Sequence, residues 1–351
     1  MDKIRNHWLD LLKLFFIIVI SFWHTGWLTM THGYLPVEFF FIVSGYFIYK
    51  TYEKKKLSIC DFFKSKCKRL LPLYWFVLIC YIAISTLAPQ LYKPADLLSK
   101  FLGIITDSLL LQATGITTLL SDNIFRYNNP DWYLSSFFWG GMIVYSMLKY
   151  KKIRLFIFAC IIITTYGIYY TYLGNTFNEY WNYFGVIYMP LWRGVAGMSI
   201  GALLGILLGK QDFNLFIQRN KLIFNFATII SLILCISSLY NKSNWDIFIL
   251  IPYTIITANA VSPHGINQYK RINCILKWVP DISLEILLIH YFLIIINVKI
   301  CDTLGILSVD YLKHTLYIAI LITSAIFLKN KIEPKIRENL SNICSKTRSF
   351  S

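Results

Sequence analysis

Apolar runs of about twenty residues alternate along this chain with short polar, lysine-rich stretches. Membrane-crossing helices impose that pattern, because a helix needs about 20 apolar residues to traverse the hydrocarbon layer. The first run, Trp8 to Leu28, is interrupted by Asp10, Lys13 and His24. The second, PVEFFFIVSGYFIYK, starts at Pro36 and carries Glu38 just inside it. A third is expected from about Leu71 to Ala88, and others at about 132–148, 154–172, 187–209, 222–240, 246–261, 283–299 and 312–328. The expected fold is therefore an all-α polytopic membrane protein of about ten transmembrane helices over residues 1–330, followed by a basic tail, 331–351. Between the third and fourth runs lies a long segment, 89–131. Its apolar stretch Phe101–Ala113 is too short to span and is expected to form a re-entrant or interfacial helix.

An even number of spans puts both termini on one side, and charge says which. Twenty-six of the 34 Lys and Arg fall in the segments assigned to that side, six fall opposite, and Lys13 and Arg193 lie within spans. The positive-inside rule makes the lysine-rich side, with both termini, cytoplasmic, and 89–131 external. The net charge of +16 is thus accounted for by membrane orientation and implies no nucleic-acid partner. An apolar content of 56% and a mean hydropathy of +0.55 exclude an ordinary soluble domain and make membrane lipid the surrounding partner. The eight cysteines form no CxxC pair or Cys/His cluster, so neither a disulfide framework nor a metal site is expected. The first run lacks a small-residue cleavage site and is expected to be retained.

Ionisable residues inside a span normally face the bundle interior or a wet cavity. Eleven residues separate Lys13 from His24, almost three whole turns, so both lie on one helix face about 16 Å apart along the axis. A cation near one surface and an imidazole deeper on the same face suit a reaction whose two substrates approach from opposite sides. Snorkelling of Lys13 and an interfacial His24 beside Trp23 and Trp27 is the plainer alternative. Glu38 reaches a depth comparable with His24, where a carboxylate would fix the imidazole's tautomer and raise its basicity.

Ser44 and Gly45 open a gap in a bulky helix, for close packing or for a ligand. Lys64, Lys66, Lys68 and Arg69 form a cluster matched to phosphate, although topology alone also places basic residues there. Arg193 is expected near the outer boundary. In DISLEILLIH, Asp281 has the position of an N-cap, while Glu285 and His290 lie about 140° apart round the helix. No GxSxG elbow, P-loop or dinucleotide fingerprint occurs.

The segments LDLLKLFFIIVISFWH, PVEFFFIVSGYFI, KCKRLLPLYW, PDWYLSSFF (which contains Trp132), WRGVAGMSIGALLG and SLEILLIH, in this order, resemble the membrane-bound acyltransferase 3 family, which includes bacterial O-acetyltransferases of surface glycans. The resemblance implies ten related helices and transfer of an acyl group, usually acetyl, from cytoplasmic acyl-CoA to a sugar hydroxyl at the outer face. It implies acyl-CoA as donor substrate with no resident cofactor, a glycan or lipid-linked sugar as acceptor, and a multi-pass location in the bacterial inner or plasma membrane. His24 matches the family's histidine on the first helix, and Lys13 stands where the family carries Arg. Glu38 matches the acidic residue before FFxxSG, and Arg69 a basic residue of the inner loop. Taken together with the charges inside the spans, the expectation is catalysis by His24 with Glu38 and acyl-CoA binding by Lys13, Lys68 and Arg69, with Asp10, Ser44, Gly45, Trp132, Arg193, Glu285 and His290 as further pocket candidates. The alternative reading is an exporter or flippase of a polysaccharide or lipid-linked sugar.

Overall fold

The computed structural model describes residues 6–26, 30–89, 95–120, 124–178, 183–184, 187–241, 245–266, 275–306 and 308–348. The architecture is helical: α1 His7–Thr25, α2 Pro36–Lys55, α3 Ile59–Leu87, α4 Leu97–Ser108, α5 Ile116–Leu120, α6 Asp131–Leu148, α7 Arg154–Thr171, α8 Met189–Leu208, α9 Gln211–Arg219, α10 Lys221–Ser238, α11 Leu250–Val261, α12 Ser283–Thr303, α13 Asp310–Phe327 and α14 Glu333–Arg348. A two-residue antiparallel ladder pairs Tyr183–Phe184 with Ile187–Tyr188 just before α8.

Local chemistry sets the helix ends. Asn6 caps α1 by accepting from Leu9 N at 2.8 Å, and Gly26, at φ +64°, closes it with a left-handed turn that a side chain would resist. Pro36 opens α2, where its missing donor costs nothing. Ser58 caps α3 by accepting from Asp61 N at 3.0 Å.

Among the described residues, seven helices are long and apolar enough to cross a membrane: α1, α3, α7, α8, α10, α12 and the continuous helix from Asp310 to Leu340. Three differences from the hydropathy reading have physical reasons. The third helix starts at Ile59, not Leu71, because its first turns are polar and project beyond the apolar run, with Pro72 inside it. In the outer segment α4 covers Leu97–Ser108, and Leu110, at φ +54°, breaks the expected Phe101–Ala113 helix. The basic tail is not separate from the last span: a π-helical turn at Leu328–Ile332 carries α13 into α14.

The tightest packing joins α2 to α8. A β-carbon on Gly45 would lie 1.8 Å from the carbonyl oxygen of Met198, and one on Gly201 would lie 1.8 Å from that of Ile42. Gly197 and Gly205 repeat the contact one turn to either side, against Phe41 and Tyr49, so small residues bring the two backbones together. At the periphery the pattern inverts. Helix α10 exposes Leu222, Ile223, Phe226, Ile230 and Ile233, as a lipid-facing helix does. Helix α4 likewise exposes Leu97, Leu98 and Phe101 while burying Asp107.

Candidate functional site

Two contacts align α1 with α12. Near the start of both helices, Lys13 Nζ donates to Asp281 Oδ1 at 2.9 Å and pairs with Asp10 Oδ1 at 2.8 Å. Near the end of α1, the ring of His24 lies 5.3 Å from that of His290 and 6.1 Å from that of Tyr291. The two helices therefore run in the same direction, with an ionic contact at one level and an imidazole pair about three turns further along α1. His290 is fully buried. Among the described residues its Nδ1 faces two carbonyls, those of Leu287 at 2.8 Å and Ile286 at 3.2 Å, and its Nε2 has no partner. The turn that carries it is pinned from both sides. Tyr81 of α3 accepts from Phe292 N at 3.0 Å, and Tyr317 of α13 donates to the His290 carbonyl at 3.3 Å.

The expectation that Glu38 orients His24 is corrected here. Glu38 is fully buried, and among the described residues its carboxylate accepts from Arg193 Nε at 2.5 Å and from the Tyr166 hydroxyl at 2.9 Å. Arg193 also donates through Nη1 to the Phe177 carbonyl at 2.9 Å, and its guanidinium lies over the rings of Trp132 and Phe177, 5.3 and 5.0 Å from their centres. A charge that must be buried is thus neutralised by its opposite and bedded on aromatic faces. Glu38 sits in the first turn of α2, where the helix dipole favours an anion. Arg193, placed near the outer boundary by the sequence, is the missing partner.

The inner basic residues separate into two groups. Lys68 and Arg69 line a cleft of about 370 Å³ with Lys64, Ser65, Asp61 and Arg337, the last supplied by α14. Arg337 is held by both Nε and Nη2 to Glu333 and donates to the Arg69 carbonyl at 3.3 Å. Lys66 turns the other way, into the bundle, where Nζ donates to the Phe137 carbonyl at 2.8 Å. Lys13 is not among the residues lining the cleft and is already paired with two carboxylates, which corrects its expected place among the phosphate-binding cations. Asp281 is no N-cap: Ile282 holds that position, and Asp281 serves Lys13 and lies within electrostatic reach of Arg69 and Lys329.

The other candidates have structural partners. Ser44 bonds back to the Phe40 carbonyl at 2.6 Å, and Gly45 packs on α8. Buried Asp10 pairs with Lys13. Glu285 accepts from Lys329 at 2.9 Å, which ties α12 to the turn between α13 and α14. Trp27, named beside His24 in the plainer alternative, lies outside the described residues.

Two polar clusters escaped the sequence reading. Near the start of α2 Asp246 accepts from Tyr34 at 2.8 Å and from Phe177 N at 2.7 Å, and stands 3.7 Å from His32. Asp246 opens an apolar run, and the rule that flags ionisable residues in spans would have found it. Beneath α4, the carboxylate of Asp107 accepts from Gln112 at 2.9 Å and Tyr127 N at 3.2 Å, while Asp131 accepts from Tyr74 at 2.9 Å and Asn128 at 2.6 Å. A larger groove of about 610 Å³ between α7, α8 and α11 is almost wholly apolar and is lined by Tyr166 but not by His24.

Residues 6–328 match the acyltransferase 3 family, described as an acyltransferase domain. Among curated relatives, the O-acetyltransferase OatA of Staphylococcus aureus, in strains NCTC 8325 / PS 47, COL and MRSA252, is 35% identical over 91 residues. Those residues are 24% of this chain and 14% of the relative, so the match spans about one seventh of OatA. No solved structure matches. With a family match from the first helix to the end of the last apolar run, the chain belongs to the acyltransferase 3 family.

Proposed function

We propose that this multi-pass membrane protein is an O-acyltransferase that moves an acyl group, acetyl by analogy with OatA, from cytoplasmic acyl-CoA to a hydroxyl of a cell-surface or lipid-linked glycan. The observation that carries the proposal is the alignment of α1 with α12. It sets an ionic rim beside a basic cleft at one end and a pair of imidazoles about 16 Å further along. In this reading the seven long apolar helices, with α2, α6 and α11, make ten spans in the plasma membrane of a bacterium. Both termini are cytoplasmic, and the basic cleft faces the cytoplasm. Lys64, Lys68, Arg69 and Arg337 hold the donor's phosphates, for which guanidinium and ammonium groups are suited. The thioester arm then reaches along α1 towards His24.

The chemistry needs a base and little else, since a thioester is already activated. His24 takes the proton of the incoming hydroxyl, and the oxygen forms a C–O bond to the thioester carbonyl carbon. The C–S bond breaks, and the departing thiolate receives the proton from His24. The products are the ester and free CoA. Glu38 takes no part in proton transfer: its bond with Arg193 holds the outer ends of α2 and α8.

Purified protein in liposomes, supplied with labelled acetyl-CoA on the cytoplasmic side and glycan acceptor on the other, tests this. Label is expected on the sugar, and none with a folded His24→Ala protein. Movement of glycan without label transfer would replace the enzyme by an exporter or flippase. Mass spectrometry of envelope glycans with and without the gene is expected to differ by one acyl group on one sugar.

A further inference from the structure

Among the described residues, Nε2 of the fully buried His290 has no hydrogen-bond partner. From its position we infer that His290 is a neutral hydrogen-bond acceptor that orients His24 and steadies its protonated form, in the place that a carboxylate fills in most catalytic pairs. The inference rests on the acyltransferase reading and adds a residue to it.

The tautomer follows from the surroundings. Both atoms facing Nδ1 are carbonyl oxygens, which only accept, so Nδ1 carries the hydrogen. A neutral imidazole has one N–H, so Nε2 is bare and can only accept. No described backbone or side-chain donor fills it, although the residue is fully buried and pinned through Tyr81 and Tyr317. Buried polar atoms normally have partners, and an orphan in an otherwise fixed turn points to a donor that arrives during function.

His24 is the group placed to supply it. A hydrogen bond of about 3 Å between two ring nitrogens, with about 1.1 Å from each nitrogen to its own ring centre, separates the centres by about 5.2 Å. The observed separation is 5.3 Å, with the planes tilted by 41°, so the ring centres already stand at the spacing such a bond needs. A His24 rotamer that turns one nitrogen towards His290 Nε2 makes the bond. The other nitrogen is then the bare one, free to take the acceptor's proton. After that transfer His24 is a cation whose second N–H already points at an acceptor, and its charge is shared through a charge-assisted bond. The proton remains on His24 until the thiolate takes it, and His290 stays neutral throughout. A neutral partner suits this depth better than a carboxylate, because no second charge has to be kept buried.

Nitrogen-15 NMR of histidine-labelled protein in lipid nanodiscs, assigned with His24→Ala and His290→Gln proteins, reads the tautomer directly. A protonated Nδ1 and bare Nε2 at His290 are expected, and a protonated Nε2 overturns the inference. Kinetics then test the role. His290→Phe keeps a ring without nitrogen and is expected to lower kcat about ten- to a hundredfold with KM for acyl-CoA unchanged. His290→Gln restores an acceptor at the reach of Nε2 and is expected to recover at least half of that loss on a logarithmic scale. A folded His290→Phe protein with wild-type kcat, or a folded His290→Gln protein as slow as it, overturns the positioning role. An inactive wild-type protein overturns the acyltransferase reading and the positioning role together, while the nitrogen shifts still decide the tautomer.

Discussion

Glu38 and Arg193, 155 positions apart, meet with Nε 2.5 Å from Oε1 and neither side chain exposed. Removing one member of such a pair leaves the other charge buried without compensation, at a cost of about 3–5 kcal/mol. Glu38→Ala and Arg193→Ala proteins should each lose roughly that much stability, and the double substitution Glu38→Gln with Arg193→Met should regain most of it. Thermal unfolding in one detergent decides this. A single variant as stable as the parent would mean that the pair contributes nothing.

The inner cations should divide by their partners. Arg69→Gln or Arg337→Gln removes a charge that lines the cleft, and a phosphate contact of about 1.5–3 kcal/mol corresponds to a rise in KM for acyl-CoA of about tenfold or more. Lys13→Gln should shift KM less than about threefold, while costing about 1 kcal/mol of stability by removing the cation that Asp10 and Asp281 share. Steady-state kinetics with varied acyl-CoA separates the two. Equal shifts in KM would return Lys13 to the donor site.

Glycines in tight and in open surroundings should behave oppositely. Gly201→Ala drives a β-carbon against the Ile42 backbone and should cost at least about 1–3 kcal/mol, because backbone cannot step aside as a side-chain tip can. Gly167→Ala on α7 meets nothing within 4 Å and should be neutral or stabilising by up to about 1 kcal/mol through helix propensity. Unfolding midpoints of the two proteins provide the comparison.

The outer segment should respond to pH. Burial pushes the Asp107 carboxyl up from 3.8 to about 7, against the bonds from Gln112 and Tyr127 N and the nearby Arg126, which favour its ionised form. The folded state therefore holds a proton that the unfolded chain has already released. Its contribution to stability is complete below about pH 4 and is lost as pH rises towards 7. Hydrogen exchange of α4 between pH 4 and 7 should show protection falling with pH, and Asp107→Asn should flatten that slope. Buried Asp131, whose charge would oppose that of Asp107, is kept intact in both measurements.

Hydropathy revealed most of the helices because lipid imposes a length and a composition on whatever crosses it. It could not reveal that α3 begins twelve residues before its apolar run, since those first turns are polar and carry no hydropathy signal. Burial was legible too, since ionisable residues inside apolar runs are expected to face the interior, and Glu38 and Arg193 are buried. Azimuth was not. Spacing along α1 put Lys13 and His24 on one face, but which helix would lie opposite depends on contacts such as Lys13 to Asp281, 268 positions apart, for which one sequence carries no signal. The carboxylate assigned to His24 therefore belonged to Arg193, and the imidazole beside His24 came from a helix near the other end of the chain.

The glycine ladder between α2 and α8 has a mechanical consequence. Where backbone touches backbone there is no cushion of side chains to slide or compress, so these two helices form a single stiff strut through the protein. The helices that lean on this strut most, α6 and α7, rest against a rigid support, whereas α12, which carries His290, packs instead on α1 and α13.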